Sequence, residues 1–209
     1  MDQTIFQNQQ TLEHEKIKLI PLEVHDSPSL FEANHQEIWR FMLSEIQTLD
    51  EMEQWVRSAV RLREQEKALP YAVLLKDGNR IIGTTRLFDI NLEQRSCELG
   101  STWYAKEFQR TFVNSVCKYL LLSYCFEDLG MVRVQFKTDE RNIPSQRAIE
   151  RLGAVKEGVL RNERILSSGY IRNAAVYSIV NEDWLKVKQG FADRDQKYQT
   201  MGIGNSPAE

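Results

Sequence analysis

One segment restricts the fold of this chain more than any other: the amphipathic run from Val113 to Tyr124, set between two strand-like stretches. Val113, Val116, Cys117, Leu120, Leu121 and Tyr124 recur at three- and four-residue steps, the spacing of one helix face, and Gly130 closes the run. "SCELGSTWY" (Ser96–Tyr104) precedes it and "VRVQFKT" (Val132–Thr138) follows, both reading as strands. A strand–helix–strand passage makes those two strands parallel. Its neighbours are hairpins: "YAVLL" and "RIIGTTRLFDI" around "KDGN", then "NLEQR" leading into Ser96, and "VKEGVLRNERIL" with "AAVYSIVNEDW" around "SSGYIRN". "KIKLIPLE" supplies a first strand. Helices are predicted over Ser29–Phe41, over Leu49–Gln65 with Asp50 as N-cap and Glu53 completing a capping box, and over "NIPSQRAIERLGA". The expected fold is α/β (α+β): a central mixed, mostly antiparallel twisted sheet of about seven strands with helices on both faces.

The length of 209 residues suits one domain. We expect a flexible segment over 1–15, the domain over 16–190, and a polar, flexible tail over 191–209. A net charge of -3 argues against nucleic acid as the main partner. No apolar run approaches the ~20 residues that span a bilayer. "MDQTIFQNQQTLEHEK" lacks the basic and apolar regions of a signal peptide, so a cytoplasmic protein is expected. Cys97, Cys117 and Cys125 lack metal-ligand spacing and read as buried free thiols in a reducing compartment. His14, His25 and His35 are far from them in sequence, so no metal site is expected.

The order of elements, with "IIGTTRLFDI", "ELGSTWYAKEFQ", "DERNIPSQRAIERLGAVKEGVLR" and "GYIRNAAVYSIVNEDW" inside it, resembles the GNAT superfamily of N-acetyltransferases, and within it the RimJ/RimL branch. The resemblance runs from about Lys16 to Leu185. It implies acetyl-CoA as co-substrate, with its pantetheine arm in a V between the strands at Cys97–Tyr104 and Val132–Thr138. The pyrophosphate would sit on the turn Gln109–Asn114, where a helix start offers free N–H groups and a positive dipole end. Trp103, Gln109, Arg110, Thr111, Phe112, Val113, Asn114, Asn142 and Ser145 are the implied cofactor-binding residues.

The turn departs from the family signature: "QRTFVN" puts Phe112 and Asn114 at the usual glycine positions and Arg110 where relatives often have a small residue. Phenylalanine keeps its N–H but disfavours positive φ and brings a ring. Two outcomes are open. The turn can keep helical φ values with the ring aside and Arg110 adding a contact to phosphate, which is the expectation, or the ring can fill the cradle and weaken coenzyme binding.

Acetyl transfer needs a neutral amine, and at pH 7 a lysine of pKa about 10.4 is far less available than an α-amine near 8. A base and an acid therefore help. Glu98, facing opposite to Cys97 and Leu99, is the first candidate base, and Glu163 in "RNERI", implied by RimL-type enzymes, is its rival. The alternatives are an ion-paired strand residue at Glu98 and a salt bridge from Glu163 to Arg161 or Arg164. Ser145 is the candidate acid, although it and Asn142 also suit helix capping. Tyr170 and Tyr177, further acid candidates, and Trp39 and Trp55 read as packing residues.

These readings predict an acetyl-CoA-dependent N-acetyltransferase acting on a protein N-terminus or a small amine. The opposing reading is a non-catalytic binding protein of the same fold. The acceptor would be selected by the N-terminal helices and the loop 167–173, and a homodimer through the C-terminal strands is common in similar proteins.

Overall fold

The computed structural model describes residues 4–166 and 168–200, the last seven of these by backbone alone. In chain order the elements are α1 (Thr4–Gln7), β1 (Leu12–Glu13), β2 (Ile17–Pro21), α2 (Ser27–Glu32), α3 (Leu49–Glu64), β3 (Ala68–Leu75), β4 (Arg80–Asn91) and β5 (Ser96–Tyr104). There follow α4 (Phe112–Ser123), β6 (Arg133–Asp139), α5 (Ile143–Leu152), β7 (Val155–Ile165), β8 (Ile171–Val180) and α6 (Trp184–Thr200). The strands form one eight-stranded sheet in the order β1-β2-β3-β4-β5-β6-β8-β7. Among the described residues only β5 and β6 pair in parallel; every other pairing is antiparallel. The mixed sheet is as expected, with two-residue β1 added to the seven strands read from sequence.

Alternation along the strands sorts the core onto two faces. Leu69, Tyr71, Leu87, Leu99, Val134 and Tyr177 pack with Val113, Cys117 and Leu121 of α4 and with Ile149 and Leu152 of α5. Ala72 and Trp103 face the other way, into Leu30, Trp39, Met52, Val56 and Ala59 of the α2–α3 region. The buried side of α4 is rotated from the expected stripe: Lys118 and Leu122 are buried, whereas Leu120 is half-buried.

Four boundaries differ from the sequence reading. The helix expected over Ser29–Phe41 is broken into α2 and a 3-10 turn over Gln36–Phe41, with His35 extended between them. Asn34 holds the break: its amide donates to the Ile46 carbonyl at 3.1 Å and its Oδ1 accepts from Trp39 Nε1 at 2.7 Å. The α3 cap is Thr48, not Asp50; Glu51 N–H donates to Thr48 Oγ1 at 3.2 Å and Glu51 Oε2 accepts from Thr48 N–H at 3.0 Å. Glu53 instead pairs with Arg57 one turn on. Phe6 of α1 is buried within the segment expected to be loose, and the α6 backbone stays helical through Thr200, past the expected start of a flexible tail. Residues 1–3 and 201–209 of those two segments lie outside the described residues.

Candidate active site

The parallel contact between β5 and β6 is short: Ser96, Cys97 and Glu98 pair with Arg133, Val134 and Gln135, and no pairing is recorded beyond. Both strands continue, β5 to Tyr104 on β4 and β6 to Asp139 on β8. From Leu99 and Phe136 onward each therefore has one edge with unpaired backbone groups facing a gap. A bulge sharpens the divergence. Ser101 takes φ 47, and the register steps from Thr84↔Trp103 to Arg86↔Gly100, so that two residues of β5 oppose Thr85 alone.

Glu98 ends the paired stretch, at the apex of the gap, on the α3 side of the sheet. It is 5% exposed. Its carboxylate accepts from Gln135 Nε2 at 3.1 Å and pairs with Lys137 Nζ at 2.8 Å. Burial raises its pKa, and those two partners only partly oppose the shift. A carboxyl held this way is a better proton acceptor than an exposed glutamate. Glu163 lies elsewhere, on β7, three strand positions from β5. Its partner is Arg172 of β8, with Nε at 3.1 Å, while Arg164 stands off at 3.5 Å. The structure does not bring the two glutamates together.

The turn into α4 runs from a 3-10 turn at Lys106–Phe108 through an extended Gln109 to Arg110, the position that carries the positive φ, 62°. Thr111 is the N-cap. Its Oγ1 accepts from Val113 N–H at 3.3 Å and donates to the Phe108 carbonyl at 2.7 Å. Phe112 opens the helix, so the strained conformation falls on Arg110 and the phenylalanine needs none. The Phe112 ring packs against the core on the α4 side and turns toward β2, with Lys16 Nζ 5.2 Å from its centroid. Asn114 accepts from the Tyr104 hydroxyl at 3.3 Å. The Gln109 amide reaches His35 Nε2 at 2.9 Å and the Tyr104 carbonyl at 3.4 Å, tying the turn to the loop after α2. A phosphate-bearing ligand suits this helix start: N–H groups of the first turn lack intrahelical acceptors, and among the described residues no carboxylate is recorded bonding to them.

Across the gap, β6 leads through Asp139–Arg141 into α5. Asn142 caps that helix by accepting Ser145 N–H at 3.1 Å, and the half-buried Ser145 stands in its first turn, close in chain to the free end of β6. Trp103 turns its indole away into the α3 layer, where it meets Trp39 at 5.8 Å and Trp55 at 6.3 Å between centroids. Tyr177 is engaged with Gln146 and Glu150 and its pKa is pushed up to about 12, mainly by burial, as suits a packing residue. Tyr170 lies beneath the Arg141 guanidinium at 3.6 Å.

Several residues escape a reading of the sequence. Lys137 and Gln135 are marked there only as strand; the parallel register alone puts them on Glu98. Lys118 has the pattern of a solvent-face lysine, yet it is 7% exposed and donates to Thr102 Oγ1 at 2.7 Å; burial lowers its pKa to about 7. Among the described residues no group of His, Cys, Asp and Glu could hold a metal ion, and no helix is long and apolar enough to cross a membrane.

Known proteins share this fold. Residues 16–155 match the family described as the acetyltransferase (GNAT) domain. A crystal structure from T. thermophilus, provisionally called an acetyltransferase, is 34% identical with a TM-score of 0.80, covering 88% of this chain and 96% of that one. A GCN5-related N-acetyltransferase from Brucella melitensis is 25% identical with a TM-score of 0.82, covering 88% and 84%. YdaF of Bacillus subtilis (strain 168), provisionally named a ribosomal N-acetyltransferase, is 27% identical over 82% of this chain and 94% of its own length.

Proposed function

The chain belongs to the GNAT family of N-acetyltransferases, and from that membership we propose that it moves the acetyl group of acetyl-CoA onto a primary amine by direct attack. The observation that carries this reading is Glu98: a buried carboxyl with a raised pKa at the point where β5 parts from β6. The free edges of β5 and β6 would hold the pantetheine arm as an added strand. The helix start at Thr111–Asn114, with Gln109 and Arg110, would take the pyrophosphate. Acetyl-CoA supplies an activated acyl group. The amine nitrogen forms a bond to its carbonyl carbon, the carbon–sulfur bond breaks, and the amine proton passes to Glu98 directly or through water. The departing thiolate takes a proton from Ser145, whose hydroxyl is reprotonated from water as Glu98 gives its proton back to solvent. Glu163 is the weaker base candidate, since Arg172 already engages it.

The acceptor we propose is a protein N-terminus or a small amine. An α-amine of pKa about 8 asks less of the base than a lysine near 10.4, and YdaF's name supports a protein substrate. The non-catalytic alternative drew on Phe112; the packing of that ring against the core supports the catalytic reading instead. We also propose a cytoplasmic enzyme, supported by free Cys97, Cys117 and Cys125. Self-association through edge strand β7 is supported by Val155, Leu160 and Ile165, which are 58%, 49% and 70% exposed.

Calorimetry with acetyl-CoA tests the core of this reading, followed by an amine panel monitored by thiol release. Binding with turnover of at least one amine is expected; no heat at high micromolar ligand would overturn it. Phe112→Gly should cost about 1–3 kcal/mol of stability through lost packing and leave affinity within about threefold. A tenfold gain in affinity would mean that the ring obstructs the turn after all.

A further inference from the structure

We propose that Arg86, stacked on Trp55, is an anion subsite that holds a carboxylate carried by the acceptor amine itself. This rests on the amine-acetylation reading for where the amine lies, and names the acceptor's second functional group.

Arg86 stands on β4 facing the α3 layer and is 8% exposed. Its guanidinium lies 4.7 Å from the Trp55 ring centroid. Among the described residues its buried Nε and Nη2 have no hydrogen-bond partner, and Trp103 Nε1, in the cluster of indoles with Trp55, has none either. Lys137, Arg141 and Arg172 each have a carboxylate, in Glu98, Asp139 and Glu163. Burial lowers the Arg86 pKa to about 10, which still leaves it charged at neutral pH. A guanidinium kept in a dry aromatic nest without an anion is costly, and an arriving carboxylate removes that cost while satisfying its planar N–H fork.

The position fits an acceptor. Arg86 pairs in register with Gly100, two residues beyond Glu98 and past the last β5–β6 pair. Gly100 itself puts no side chain beside Arg86; the half-buried Phe88 ring takes that space, 3.1 Å from where a Cβ on Gly100 would lie, so an acceptor reaches Arg86 by displacing this ring. The diagonal from Glu98 to Arg86 is about 8 Å between backbones by strand geometry. An acceptor whose amine and carboxylate are a few bonds apart spans it. A free amino acid of that shape and an N-terminus followed by an acidic side chain share this chemistry.

Two matched pairs separate the sources: β-alanine against β-alaninamide, and the tetrapeptide amide Ala-Glu-Ala-Ala against Ala-Gln-Ala-Ala. Each is assayed with acetyl-CoA by thiol release, and each is titrated without acetyl donor by indole fluorescence. In at least one pair the carboxylate member is expected to bind, and to be turned over in kcat/KM, about tenfold or more better than its neutral twin. In Arg86→Gln that ratio falls to about one. Equal behaviour within both pairs, or an unchanged ratio in Arg86→Gln, overturns the proposal. Should Arg86→Gln fail to fold by circular dichroism, Arg86→Lys carries the test, because a point charge in place of the fork lowers the preference; an unchanged preference again overturns it. Tighter fluorescence binding of a carboxylate probe with no amine acetylated would sink the transferase reading and leave the subsite. Acetylation without carboxylate preference would do the reverse.

Discussion

Glu98 and Lys118 are two buried ionisable side chains whose pKa values move in opposite directions for one cause, the loss of water. For Glu98 the consequence is kinetic. Glu98→Gln is expected to lower kcat by about 10²–10³ with little change in KM for acetyl-CoA. The wild-type rate should fall on the acid side at a pH above the usual carboxylate range, because burial raises the Glu98 pKa, and that limb should vanish in the variant. A matching loss in Glu163→Gln, with Glu98→Gln unaffected, would reverse the assignment. For Lys118 the consequence is stability. Its folded pKa of about 7 lies below the ordinary value of 10.5, so the stability tied to it is full above pH about 10.5 and lost as pH falls through about 7. Lys118→Met should therefore stabilise the protein at pH 6, on the order of a few kcal/mol, and much less at pH 10; thermal melts at both pH values decide it. Thr102 keeps Thr85 Oγ1 as a partner at 2.8 Å in that variant. The sequence located Glu98 because strand alternation fixes a side chain's face. It hid Lys118, because a lysine beside an apolar stripe looks the same whether the helix is rotated toward the sheet or away.

Among the elements, the close approach of β4 to β5 is the most demanding. A Cβ on Gly83 would lie 2.2 Å from the Trp103 carbonyl oxygen, a backbone atom that cannot step aside. Gly83→Ala is expected to cost more than about 2 kcal/mol, seen as a lower Tm, by forcing the two strands apart. The turn into α4 behaves differently. Arg110 holds φ 62, so Arg110→Gly should stabilise the fold by about 0.5–1 kcal/mol while weakening acetyl-CoA by removing a cation near the helix start. Denaturant melts and calorimetry on that variant read the two effects separately; unchanged affinity would take Arg110 out of the binding turn. Sequence reasoning finds this turn and its helix from spacing alone. Its expectation of helical φ at Phe112 with the ring aside agrees with the structure; what it does not foresee is that Arg110, two places earlier, takes the left-handed conformation. The α3 cap slips by two residues because Thr48/Glu51 and Asp50/Glu53 have the same spacing, and only the incoming loop chooses between them.

At the scale of the molecule, the mixed pairing of the sheet was legible because one crossover helix among hairpins leaves few ways to connect the strands. How far β5 and β6 stay together was not, since separation depends on a bulge that no residue pattern announces. That brevity has a mechanical meaning. β6 meets β8 along seven residue pairs, whereas it meets β5 along three. The left and right flanks of the protein are thus stitched by the shortest seam in its interior, and the proposed site lies where the stitching stops. Those amides of Ser96–Glu98 and Arg133–Gln135 that bond across β5–β6 should exchange with deuterium faster than the amides that bond across β6–β8 in the free enzyme, then slow when coenzyme A bridges the flanks. A small molecule would then serve as the missing run of thread, making the enzyme stiffest at the moment it is loaded.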